Sequence, residues 1–158
     1  MTVPSISHAY PHFRNYELVS MAPMLGIRES YRMVTDYILT ESDIRAGLSG
    51  QTHQDMIAIA DHPLDIHGGG PALKEGKEPY GIPYRCLLPK GRKNLLVACR
   101  GAGFSHIAAS SCRLSRTIMA LGHAAGLAAA DAVKKDGDVR AIDTAALVQE
   151  MGVVADNQ

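Results

Sequence analysis

The segment Asn94-Leu95-Leu96-Val97-Ala98-Cys99 carries an unbroken apolar run between a turn at residues 89–93 and a glycine-bearing loop that begins at Gly101. A short apolar run without alternation is the pattern of a strand buried on both faces, and such a strand needs a layer of structure on each side. One layer is at hand. Residues 114–135 are rich in alanine and leucine and read as the longest helix of the chain, about 30 Å from end to end at ~1.5 Å per residue. Lys134 and Lys135 sit near its C-terminal, negative pole, and Gly137 is a natural stop. A buried strand followed by a long helix places the chain in the α/β class.

Other segments read more locally. Thr40-Glu41-Ser42-Asp43 places a hydroxyl at an N-cap and a carboxylate three residues later, so a helix opens there and stops near Gly47. Asp143 caps a last helix that runs to Met151. Residues 16–25 read as a strand ended by Gly26, with a second around residues 32–34 and 37–39. Residues 54–60 and 64–66 are short extended candidates separated by the turn residues Asp61, His62 and Pro63. Residues 80–88 read as extended, with Pro83 marking an edge or a bulge. Residues 67–78, with three consecutive glycines, read as a mobile surface loop fit to serve as a lid.

The charge balance excludes several functions. Sixteen basic residues meet sixteen acidic ones, mixed along the chain, so there is no basic stripe for nucleic acid and no polybasic patch for a membrane surface. The alanine-rich stretch is interrupted by His123 and Asp131 and is not a membrane span. Cys86, Cys99 and Cys112 are odd in number and lack metal-ligand spacing. They read as buried reduced thiols, which with no visible signal peptide points to the cytoplasm. His8 and His12 share an i, i+4 spacing, but Pro11 lies between them, so no metal is expected. With no Trp, 2 Phe and 6 Tyr, aliphatic side chains and methionine are expected to fill most of the core.

Three stretches, taken in order, resemble one family. They are Leu25-Gly26-Ile27-Arg28-Glu29-Ser30-Tyr31-Arg32 with Asp36-Tyr37-Ile38-Leu39-Thr40, then Ile82-Pro83-Tyr84-Arg85-Cys86-Leu87-Leu88-Pro89-Lys90, and then Asn94-Leu95-Leu96-Val97-Ala98 with Leu121-Gly122-His123-Ala124-Ala125-Gly126. In this order and spacing they are similar to the C-terminal portion of bacterial FAD-dependent oxidoreductases of the glutathione-reductase-like superfamily. The resemblance implies a mixed sheet, with residues 1–92 forming the substrate side and residues 93–158 supplying the closing strand and helices of the FAD domain. It also implies FAD as cofactor and hydride transfer as chemistry. The family's G-x-G-x-x-G turn, whose amides hold the FAD pyrophosphate, is not in this sequence. The nearest lookalike, Gly101-Ala102-Gly103, has His106 at the third glycine position. Cys99-Arg100 stands where the family has Gly-Arg, and Leu114-Ser115-Arg116 where it has a Met-Pro-Thr run.

The same resemblance implies where the flavin lies. The junction from Gly101 and Gly103 through Ser110, Ser111, Arg113, Leu114 and Ser115 corresponds to a helix start that faces the flavin ring. Small residues there let the ring approach, and free amides favour negative charge; an ordinary capped helix start is the alternative. Arg100 and Arg113 can bond ribityl or phosphate oxygens or a substrate carboxylate, or else hold loop carbonyls. Arg28 and Glu29 fall near the cofactor, or form a charge pair organising a crossover. Asp65-Ile66-His67 and Tyr84-Arg85 fall on the substrate side of the ring, where His67, Tyr84 and Arg85 are suited to moving a proton, or are structural. The expected partners are a small-molecule substrate, a separate N-terminal FAD-binding polypeptide and, through an uncovered apolar face, a second copy of the chain. A non-enzymatic remnant that binds a small ligand or a protein is the competing function.

Overall fold

Two capping signals place two helices. The computed structural model describes residues 9–17, 19–65 and 78–153. Helix α1, Glu41–Gly50, opens on a capping box in which the Thr40 side chain receives the Asp43 amide and the Asp43 carboxylate receives the Thr40 amide. Its regular course breaks at Gly47, where φ is +63° and a Cβ would run into the Glu78 side chain. Glycine is the residue that takes such a φ without strain.

Strands β1, Met56–Ala60, and β2, Tyr80–Pro83, pair antiparallel as a two-stranded sheet. A bulge between Met56 and Ala58 puts both Ile57 and Ala58 in the core and turns Ile59 outward, which breaks simple alternation. Pro83 ends β2, and residues Tyr84–Leu87 continue as a 3-10 turn. Helix α2, His106–Cys112, is capped by the Ser105 hydroxyl, which accepts from the Ala108 amide. Only Arg113 and Leu114 separate α2 from the longest helix, α3, Ser115–Val133. Helix α4, Thr144–Met151, starts at Asp143, whose carboxylate accepts from the Ala145 and Ala146 amides. Both α3 and α4 pack on β1, while α1 packs on β2. Thus the fold is mixed α/β with a small sheet.

Residues 94–99 form no strand: Val97 donates to the Leu87 carbonyl at 2.9 Å, and Leu95 is 42% exposed. The 3-10 turn that follows β2 offers that segment one carbonyl and not a ladder, so the run packs along the core through Leu96 and Val97 without pairing. The described part of residues 16–25 forms no strand either, and Val19, Met21, Met24 and Leu25 are exposed. Apolar residues there have no neighbouring strand among the described residues to satisfy their backbone. Residues 32–39 stay extended but make only isolated bridges, Thr35 with Pro89 and Leu39 with Phe104, and residues 64–65 make none. A large mixed sheet is therefore not formed by the described residues. Of the loop expected from Gly101 to Ser111, residues 106–111 instead fall in the helix His106–Cys112. The expected loop at 67–77 lies outside the described residues.

The core holds Leu39, Ile57, Leu64, Ile82, Leu87 and Leu121 together with Tyr80, Tyr84 and Phe104. Aromatic rings carry more of it than their number suggests, and the methionines do not replace them: Met21, Met24 and Met119 lie outside. Cys86 and Cys112 are buried, and burial pushes the Cys86 thiol up to about 12. Cys99 is exposed, against expectation, because its segment is not a buried strand.

Candidate functional site

The start of α3 is chemically open. Leu114, its N-cap, is extended at φ −67° and ψ 150°, and among the described residues no side chain caps it. The first N–H groups of a helix lack intrahelical acceptors and carry the positive end of its dipole. Leu114 and Ser115, at this helix start, line a cleft of ≈ 290 Å³ together with Arg28, His62, Asp65, Arg100, Ser110 and Arg113.

Long-range pairs hold this cleft together. Arg113, the C-cap of α2, donates to Asp65 Oδ2 at 3.0 Å, and Arg28 Nη1 lies 3.8 Å from the same oxygen. The Asp65 amide donates to Ser110 Oγ at 3.1 Å, and Ser110 donates to the Ile107 carbonyl at 2.7 Å. Among the described residues three guanidiniums and one carboxylate therefore border the helix start, with Arg28 and Arg113 both turned to that carboxylate.

A second cleft, of ≈ 350 Å³, adjoins it and shares Arg28 and Arg100. Its other walls are Ile27, Glu29, Ser30 and Tyr31 on one side and Cys99 and Gly101 on the other. Arg100 Nη1 donates to the Ile27 carbonyl at 3.2 Å, and the Met33 amide donates to the Gly101 carbonyl at 2.8 Å, so the two walls are tied. Glu29 bonds the His106 ring through both oxygens at 2.9 Å and also pairs with Arg32. Burial pushes its carboxyl up, but His106 and Arg32 outweigh burial and hold it below the usual carboxylate range.

Of the sequence candidates, Arg28, Glu29, Arg100, Gly101, Ser110, Arg113, Leu114 and Ser115 meet in these two clefts. Four others line neither. Gly103 is packed in the core, where a Cβ would come 1.9 Å from Thr35 Oγ1 and 2.3 Å from the Tyr37 carbonyl oxygen. Ser111 is buried, bonded to the Tyr80 hydroxyl at 2.6 Å and donating to the His62 carbonyl. The Tyr84 hydroxyl donates to the Val139 carbonyl at 2.8 Å within the core.

Arg85 belongs to a different cluster. It forks onto Asp55 at 3.0 and 3.1 Å, lies over the Tyr37 ring at 5.0 Å and meets His53 at 3.2 Å. Asp43 joins this cluster, accepting from Tyr37 and Thr40. His67 lies outside the described residues.

Asp65 is expected on the substrate side, but its pairing with Arg113 as the clasp of the first cleft, and His106 as the clasp of the second, are not read from the sequence. Asp65 and Arg113 are 48 positions apart, and Glu29 and His106 are 77 apart. No local pattern joins them. Among the described residues no group of three or more His, Cys, Asp or Glu is placed to hold a metal ion. No helix among them is long and apolar enough to cross a membrane.

A family model for FAD dependent oxidoreductases matches residues 2–151. No curated protein and no solved structure matches the chain significantly.

Proposed function

This chain belongs to the FAD-dependent oxidoreductase family, whose cofactor is FAD, and from that premise we propose that it supplies the flavin-ring and substrate-side contacts for hydride transfer. The observation that carries this reading is the uncapped start of α3 opening into a cleft bordered by Arg28, Arg100 and Arg113. That donor set fits a cofactor with an electron-poor ring and anionic oxygens. When bound, FAD supplies the acceptor or donor of a hydride.

The chain's own groups do the rest. The free amides at Ser115 and beyond favour negative charge at the cleft, through the helix dipole and without moving. Arg113 is held by Asp65, so its fork keeps one orientation. Ser110 is small and fixed at both ends of its hydrogen bonds, leaving room beside the backbone. The pyrophosphate cradle of the family is not among these residues, so a partner polypeptide or segment that carries it completes the site. The apolar residues exposed between Val19 and Val34 are the surface such a partner, or a second copy of the chain, would cover.

The test is a flavin titration of the purified chain, read by quenching of flavin fluorescence. Riboflavin and FAD should bind weakly and within a few-fold of each other, because the ring is what this chain recognises. Arg113→Gln should weaken both. Absence of quenching with either flavin, or displacement of riboflavin by ADP alone, would sink the reading.

A further inference from the structure

The second cleft has a composition that the flavin does not require. We propose that it binds the carboxylate of a small, partly apolar organic acid, and that this acid is the substrate; the second clause rests on the function proposed above.

One terminal nitrogen of Arg100 donates to the Ile27 carbonyl at 3.2 Å, which anchors one corner of the guanidinium at the cleft edge. Its other donors meet no acceptor among the described residues. A planar fork held at one corner recognises a planar carboxylate better than a flexible ammonium does. Arg28 lines the same cleft but lies 3.8 Å from Asp65 Oδ2, so of these two cations, neither of which can lose its charge, Arg100 is the one that no carboxylate meets among the described residues.

The acid in the lining does not cancel them. Glu29 is bonded by His106 through both oxygens and paired with Arg32, so its charge is met by neighbours that do not line the cleft. The net field at the cleft therefore favours an anion.

The remaining lining decides which anion. Ile27 and Tyr31 are exposed beside the two arginines, and the Cys99 sulfur already accepts the Gly101 amide at 3.3 Å. An inorganic phosphate gains nothing from an aromatic ring and an isoleucine. A carboxylate carried on an apolar or aromatic body buries that body against them while its charge meets the fork. A cleft of ≈ 350 Å³ suits a metabolite-sized acid and not a polymer.

Benzoate and benzamide are the paired probes, added to the full chain and followed by calorimetry or by amide shifts in NMR. They match in shape and differ in the charge that the fork reads. Benzoate should bind about ten-fold or more tighter than benzamide, the size expected for charge-assisted hydrogen bonds. Arg100→Lys should remove most of that preference, because an ammonium keeps the charge and loses the fork. Tyr31→Ala, at a side chain 98% exposed, cannot unfold the chain and should weaken benzoate and benzamide together. Met119→Ala, on the exposed face of α3, should change neither.

Equal binding of the two probes, or displacement of benzoate by inorganic phosphate at matched ionic strength, would overturn the proposal. Riboflavin quenching on the same sample separates the two readings. Riboflavin binding without benzoate discrimination leaves the flavin cleft and removes this one. Benzoate discrimination without riboflavin binding supports the carboxylate site and removes the flavin assignment.

Discussion

Replacing Leu121 by alanine and, separately, Leu95 by alanine tests where the core of this chain lies. Both are leucines in apolar runs, and the sequence alone gives them equal rank. In the structure Leu121 is 0% exposed on the face of α3 that meets the sheet, while Leu95 is 42% exposed. Leucine to alanine removes three carbons, and each buried methylene contributes about 0.8 kcal/mol, so the transfer part at Leu121 is about 2.4 kcal/mol. The helix there is anchored by Ala124, Ala128 and Ala132, all buried, so the backbone is already close and collapse is limited. A residual void of roughly 50 Å³ then adds about 1.2 kcal/mol at ~24 cal/mol per Å³. The expected loss at Leu121 is therefore near the middle of the usual range of about 2–5 kcal/mol. At Leu95 much of the side chain already meets water and no closed cavity is left, so the loss should stay under about 1.5 kcal/mol. Urea unfolding followed by circular dichroism measures both, with the midpoint shifting and the m-value unchanged. If Leu95→Ala costs as much as Leu121→Ala, residues 94–99 are a buried strand after all and the packing described here is wrong.

Three further outcomes are expected. Gly103→Ala should destabilise by about 1–3 kcal/mol, since its Cβ would fall on Thr35 Oγ1 and the Tyr37 carbonyl; a thermal melt within one degree of wild type would contradict this. Burial pushes the Asp43 carboxyl up, but hydrogen bonds from Tyr37 and Thr40 win and hold it below its ordinary value of 3.8. Its contribution is thus present above that value and fades as pH falls through the lower folded one. Asp43→Asn should be less stable than wild type at pH 6, and the gap should shrink toward pH 2; a gap independent of pH would count against the capping network. Finally, a thiol reagent should label Cys99 rapidly in the native chain, and Cys86 and Cys112 only on unfolding, given their exposure and burial. Rapid labelling of all three would mean the buried pair is open.

What could be read from the sequence was local. Thr40 with Asp43, Asp143 and the alanine-rich run each carry their own signal within a few positions and appear where the signal puts them, while Gly47 interrupts the first helix without ending it, since that helix runs to Gly50. The errors lie where a neighbour distant in sequence decides. Residues 94–99 have the composition of a central strand, but a strand exists only with a partner ladder, and the turn after β2 withholds one. Residues 106–111 are small and polar enough to pass for a loop, and the cap at Ser105 gave the better signal. The candidate site divides in the same way. The stretch from Ser110 to Ser115 was legible because the start of a long helix is legible. That Tyr84 would spend its hydroxyl on the Val139 carbonyl, and Arg85 its fork on Asp55, could not be read without the fold.

The two clefts share Arg28 and Arg100, and that makes them thermodynamically linked. An anion settled in one cleft neutralises cations that the other would use and adds a like charge nearby. Filling one should therefore weaken an anion at the other, and linkage requires the penalty to be equal in both directions. The penalty belongs to exposed charges, so added salt relaxes it. Two anionic ligands would then compete without sharing a single atom of space, and the order in which they arrive would set their kinetics but not their final occupancy.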